Sequence, residues 1–251
     1  MTSPPKPRTG YAHSKCYARE LNDCSTKISG EHYISENVLV ELTGGARMVK
    51  VTNPAWAPDG GEVEVPIASL APNVLCTRHN AALSGLDANA GRLFRALRAT
   101  KESRAAGLHL FNGRDVERWL LKALCGLSAI RGDWTPPRVW LRILFGELVF
   151  PAPWGMYLGA VVGRVFPSAN EHVHLSRISV NGALGGFRME LIGWDFYLLA
   201  RELDDPHKLV AGAMRRPNCI NVVAEPKSRD PSGRICFYWE DRWPGIGWDL
   251  R

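Results

Sequence analysis

Two short clusters of metal-ligating residue types constrain this chain more than any other feature: Cys16-x7-Cys24, and Cys76-x2-His79. A structural zinc site takes four Cys or His ligands, normally as two close pairs presented by separate turns. Cys76-x2-His79 has the spacing of such a pair. Cys16-x7-Cys24 is looser, but a longer loop between ligands closes at modest entropic cost. The pattern predicts a zinc centre on Cys16, Cys24, Cys76 and His79, with His13 as an alternative ligand; the competing reading is a set of unrelated buried thiols. Cys125, Cys219 and Cys236 fall on an apolar helix stripe or in strand-like runs and read as apolar filler. The opening Met-Thr-Ser-Pro-Pro-Lys-Pro lacks the apolar stretch of a secretory signal. A reducing, cytoplasmic setting is therefore expected, in which cysteines near histidines mean metal more often than disulfides.

The chain of 251 residues, 45% hydrophobic and 22% charged, can bury a real core, which argues against wholesale disorder. Its length suits two domains of ordinary size. The net charge of +6 is spread evenly: residues 1–100 hold 11 Lys/Arg against 9 Asp/Glu, and the remainder 20 against 16. Charge thus permits a nucleic-acid partner without implying one. Every apolar run is broken well short of the ~20 residues of a membrane-spanning helix, so no membrane partner is expected.

Residues 1–12, rich in Pro, Lys and Arg, read as a loose arm. Residues 38–42 alternate weakly before Gly44-Gly45. Residues 48–52 and 62–67 alternate apolar with polar around a Pro/Gly-rich loop, which predicts a hairpin. From Asn80 on, Leu83, Leu86, Ala90, Leu93, Phe94 and Leu97 recur at helical spacing. Arg92, Arg95, Arg98, Lys101 and Arg104 step by three around that helix as a diagonal basic stripe, either a solvated exterior or a phosphate track. A second helix is expected from an Asp115 N-cap through Val116, Trp119, Leu120, Ala123, Leu124 and Leu127, stopping near Gly126 or Gly132. Beyond Pro136-Pro137, residues 139–144, 148–150, 156–166, 172–180, 187–192, 220–224 and 235–239 read as short strands, with 196–203 ambiguous.

Glu31-His32 sits between the two ligand pairs, and Asn80 directly follows the second. Two cysteines, an acid–His pair with apolar residues after it (Glu31-His32-Tyr33-Ile34), a Gly-Gly turn, then Cys-x2-His-Asn opening a helix: this order resembles the zinc-containing branch of the HNH, or ββα-metal, endonuclease family. The resemblance spans residues 16–97, with an insertion at 47–71 that makes the hairpin longer than is usual in the family. It implies that Glu31 and Asn80 hold one catalytic divalent ion, Mg²⁺ or Mn²⁺, and that His32 is the general base for the attacking water. The chemistry is coherent, since a carboxylate with an amide oxygen suits a hard ion and a neutral imidazole can accept a proton near neutral pH. Arg78, Arg92 and Arg95 are the candidate phosphate contacts. Asp87 returns to the Asn80 face about 10 Å further along the helix, too far to share one ion with it, and is expected to cap, to face substrate or simply to meet solvent.

The expected architecture is α+β: an N-terminal zinc-stabilised ββα, treble-clef-like module over residues 1–105, followed by a mainly antiparallel β domain over 106–251. The favoured function is divalent-metal-dependent DNA cleavage. The alternatives are a non-catalytic zinc-stabilised module binding nucleic acid or protein, and a structural subunit whose β domain mediates contact with a protein partner or another copy. His172-x-His174 and most of the tryptophans read as sheet packing, although the tryptophans of residues 239–248 could instead stack bases.

Overall fold

The computed structural model describes residues 7–52, 61–102, 107–130, 134–159, 172–201, 210, 212–222 and 233–239. Two long helices organise it. Helix α2, Thr77–Lys101, follows from the expected stripe, and Leu83, Leu86, Ala90, Leu93, Phe94 and Leu97 are all buried. Helix α3, Gly113–Ala129, buries Val116, Trp119, Leu120, Ala123 and Leu124. Its N-cap is Asn112, whose side-chain oxygen accepts from the backbone N–H groups of Arg114 and Asp115, so the expected Asp115 cap lies inside the first turn. Gly126 continues the helix instead of ending it. A Cβ there would come within 2.8 Å of the Tyr33 side chain, so glycine is what lets α3 lie against the segment carrying Glu31 and His32.

The weakly alternating stretch 38–42 and the expected strand 139–144 are both helical. Residues 36–42 form α1 (Glu36–Leu42), which buries Val38, Leu39 and Leu42 and ends at Gly44 and Gly45, both at positive φ. Residues 138–144 form α4 (Arg138–Leu144), entered from Pro137 and burying Trp140, Leu141, Ile143 and Leu144. In both, apolar runs this short fit either period, and packing against the long helices selects the helical one.

The strands are β1 (Ile28–Ser29), β2 (Met48–Thr52), β3 (Glu62–Pro66), β4 (Leu75–Cys76), β5 (Leu108–Asn112), β6 (Gly155–Gly159), β7 (His172–Val180), β8 (Ala183–Leu191), β9 (Trp194–Leu199), β10 (Ala213–Arg215), β11 (Cys219–Val222) and β12 (Gly233–Tyr238). A seven-stranded sheet has the order β10-β6-β9-β8-β7-β2-β3, antiparallel except between β2 and β7. A three-stranded sheet, β11-β12-β5, pairs β12 with β5 in parallel, and β1 pairs with β4. Residues 148–150 lie outside any strand, and the expected strand at 156–166 is described only as far as β6. The segments 53–60, 160–166 and 240–248, with Arg104, lie outside the described residues, as does the side chain of Lys101.

The fold is mixed α+β, and its packing runs across residue 105. The predicted hairpin β2–β3 completes the large sheet, and one apolar cluster extends from Cys16 to Phe237. Phe94 of α2 is its hub, with its ring centroid 5.5 Å from both Trp119 of α3 and Phe196 of β9. Among the described residues, no helix is long and apolar enough to cross a membrane.

Cys219 and Cys236 are directly opposed on β11 and β12 and form a disulfide, not the apolar filler that single-strand patterning suggests. Cys125 is buried and free, as expected.

Candidate metal centre and adjoining cleft

Strand β1 runs antiparallel to β4, and β4 leads directly into α2. This brings the turn holding Cys24, the first turn of α2 and the segment around Cys16 together. Cys16, Cys24, Cys76 and His79 are buried, with donor atoms all within 4.8 Å of one another. Nδ1 of His79 is 3.4 Å from the sulfur of Cys16, 3.8 Å from that of Cys24 and 3.3 Å from that of Cys76. A tetrahedral ion with metal–sulfur bonds of about 2.3 Å and a metal–nitrogen bond of about 2.0 Å needs donor separations of roughly 3.5–3.8 Å. The imidazole–sulfur distances lie close to this range, and the cluster could hold a metal such as zinc. His13 stays outside, with its ring accepting from the backbone of Lys15.

Burial pushes the thiols of Cys16 and Cys24 up. At Cys76 burial also raises the thiol, but N–H groups of His79 and Ser25 bring it below the ordinary range. Burial lowers His79 and favours the neutral imidazole that a metal needs. Without a cation, burial keeps Cys16 and Cys24 as neutral thiols; thiolates become favourable there only with a positive ion among the donors, and Cys76 and the neutral His79 are the two donors already disposed toward one.

Next to this cluster lies a cleft of about 510 Å³ bordered by Glu31, His32, Asn80, Asp87, Arg95 and Lys122. Asn80, one residue past His79, donates its amide N–H to the Ser29 hydroxyl (3.1 Å) and the Gly30 carbonyl (3.4 Å), anchoring the turn before Glu31. His32 Nε2 is 3.1 Å from the carbonyl of Ile67. A carbonyl only accepts, so Nε2 carries the proton and Nδ1 of the neutral ring is left as the basic nitrogen.

Glu31 is 3% exposed and ion-paired to Lys122 of α3, itself 1% exposed. Lys122 also pairs with Asp87 and donates to the His32 carbonyl at 3.4 Å. Asp87 accepts from the Ser35 hydroxyl, whose oxygen in turn accepts from Trp119 Nε1 at 2.7 Å. Asp87 is thus built into a network, neither a cap nor a plain solvent contact. Burial pushes the Glu31 carboxyl up to about 7, with Lys122 opposing the rise and Asp87 adding to it. Sequence patterning passes over Lys122, although a signal was there: one helical turn beyond Trp119, it puts a cation on an otherwise apolar stripe.

The three candidate phosphate contacts separate. Arg95 borders the His32 cleft and pairs with Glu41 at 2.7 Å. Arg92 donates to Asn89 and lies over the Phe111 ring. Arg78 pairs with Asp23 at 3.0 Å and borders a different cleft, beside His79 and Phe145.

A second buried charge of α3, Glu117, points toward the large sheet. It accepts from the Met156 N–H at 2.8 Å and from Arg216 Nε and Nη2 at 2.7 and 2.9 Å. On His172-x-His174, His174 Nε2 lies 2.9 Å from the Ser176 hydroxyl. No family model, no curated protein and no solved structure matches this chain.

Proposed function

We propose that this chain is a divalent-metal-dependent phosphodiester hydrolase of the HNH type acting on DNA. Its first hundred or so residues would then hold a zinc-stabilised, treble-clef-like ββα module. One observation carries the reading: Glu31, His32 and Asn80, from two distant stretches of chain, border one cleft at the root of α2, beside a Cys/His cluster able to hold those stretches together.

The donors in the cleft, carboxylate and amide oxygen, fit a hard ion such as Mg²⁺ or Mn²⁺, which needs few protein ligands. Glu31 and Asn80 would hold it. When bound, such an ion supplies neutralising charge to the phosphate. His32, its Nε2–H fixed on Ile67, offers Nδ1 to take the proton of the attacking water. Arg95 is the cation available at the rim for a neighbouring phosphate. Arg78, which borders a different cleft, and Arg92, which lies over Phe111, are left out of that contact.

The test is cleavage of supercoiled plasmid by zinc-loaded protein with Mg²⁺ or Mn²⁺. Nicked and linear products are expected, falling by roughly 10²–10⁴-fold in His32→Ala with zinc content and fold retained. Intact plasmid with the wild-type protein would overturn hydrolysis.

One observation favours a second reading, a zinc-stabilised nucleic-acid- or protein-binding module without turnover: the Lys122 ammonium already pairs with both Glu31 and Asp87 from within the chain. DNA retarded in a gel but never cut would support it.

A further inference from the structure

We propose that Lys122 is a positioning residue that makes binding of the divalent ion conditional on a phosphate. The inference rests on the reading of Glu31 as an ion ligand. Lys122 enters the cleft from the buried face of α3, and its ammonium, 1% exposed, contacts Glu31, Asp87 and the His32 carbonyl. Burying an ammonium is tolerable only when it is paired and hydrogen-bonded, and here it is both. The packing holds it there: Trp119 on the preceding turn bonds Ser35, and Gly126 on the following one lies against Tyr33.

A divalent ion placed on Glu31 therefore meets a fixed positive charge a few ångströms away, in a cleft where screening is weak. Among Glu31, Asp87 and the Lys122 that contacts both, a divalent ion leaves a single excess positive charge; at the rim Arg95 and Glu41 pair with each other and Glu36 is exposed to screening water. One phosphodiester carries the single negative charge that cancels it. The ion alone binds weakly, and ion and phosphate together bind well. Lys122 need not touch substrate for this; it sets the charge of the site through Glu31 and Asp87.

The experiment measures Mn²⁺ affinity by electron paramagnetic resonance on zinc-loaded protein, with and without a short DNA duplex, in a His32→Ala background so that the duplex survives. With Lys122 present, the duplex is expected to tighten Mn²⁺ binding roughly tenfold or more. Lys122→Met should bind Mn²⁺ tightly without duplex, gain little on adding it, and lose that tight binding when Glu31→Gln is added. Lys122→Arg should keep the duplex dependence. Duplex-free Mn²⁺ affinity that is the same with Lys122 in place as in Lys122→Met and Lys122→Gln would overturn the proposal. If the neutral variants fail to fold, Mn²⁺ affinity that ignores duplex in the Lys122 protein overturns it alone. The two readings fail separately. Plasmid left intact by the wild type, with this affinity pattern present, removes hydrolysis only; plasmid cleaved, with Mn²⁺ affinity indifferent to Lys122, removes the role of Lys122 only.

Discussion

The two sides of α2 are held together by different means. On one, β1 and β4 are two residues each and pair only with each other, and four soft donors gather around one point. On the other, β7 and β8 run for nine residues each in a seven-stranded sheet, and aromatic rings pack against the helices. Where the chain builds little hydrogen-bonded sheet, cross-linking through a shared ion can replace it; where it builds much, apolar burial suffices.

Withholding metal from the Cys/His cluster tests this contrast most strongly. Structural zinc in small modules is worth on the order of 10 kcal/mol at neutral pH. Chelation, or Cys76→Ser, is expected to abolish zinc binding and to release the amides of β1, β4 and the first turn of α2 to hydrogen exchange before those of β8 and β9. Simultaneous release throughout would break the comparison and make the two sides one cooperative unit. The converse change is Phe196→Ala, expected to cost about 3–5 kcal/mol in denaturant unfolding while leaving zinc content unchanged. Zinc lost along with the ring would show that the cluster leans on the sheet.

Smaller effects sharpen the picture. Arg216→Met leaves Glu117 buried with only the Met156 amide. Arg216 is partly exposed, so the cost should fall below that of a fully buried pair, at about 2–3 kcal/mol; a neutral outcome in the same unfolding assay would mean that water reaches Glu117.

The smallest effect concerns pH. The Glu31 carboxyl is raised by burial from 4.5 to about 7 in the folded chain. Between those values the folded form holds a proton that the unfolded form releases, so its contribution is fully present below 4.5 and is lost as pH rises through 7. With no divalent ion added, unfolding midpoints at about pH 5 and about pH 8 should diverge more for wild type than for Glu31→Gln. Parallel midpoints would show that Lys122 holds Glu31 ionised throughout.

Much of this was legible in the sequence because it is local. The ligand spacing announced the Cys/His cluster, and the stripes of α2 and α3 gave the helices that frame it. What escaped depends on contacts between distant segments. The short runs of α1 and α4 carry too few residues for their period to show. The bond between Cys219 and Cys236 requires knowing that β11 and β12 lie side by side in that register. Lys122 matters only once α3 is laid across the Glu31 segment, and Asp87 only once Ser35 and Lys122 reach it.

Helix α3 holds Glu117 toward the large sheet and Lys122 toward the cleft. A single residue inserted between them would rotate everything beyond it by about 100°. One anchor or the other would then point the wrong way. The interval between these two charges is therefore a ruler: substitutions along α3 can drift as long as bulk is kept, but its length between Glu117 and Lys122 cannot change without uncoupling the sheet from the cleft.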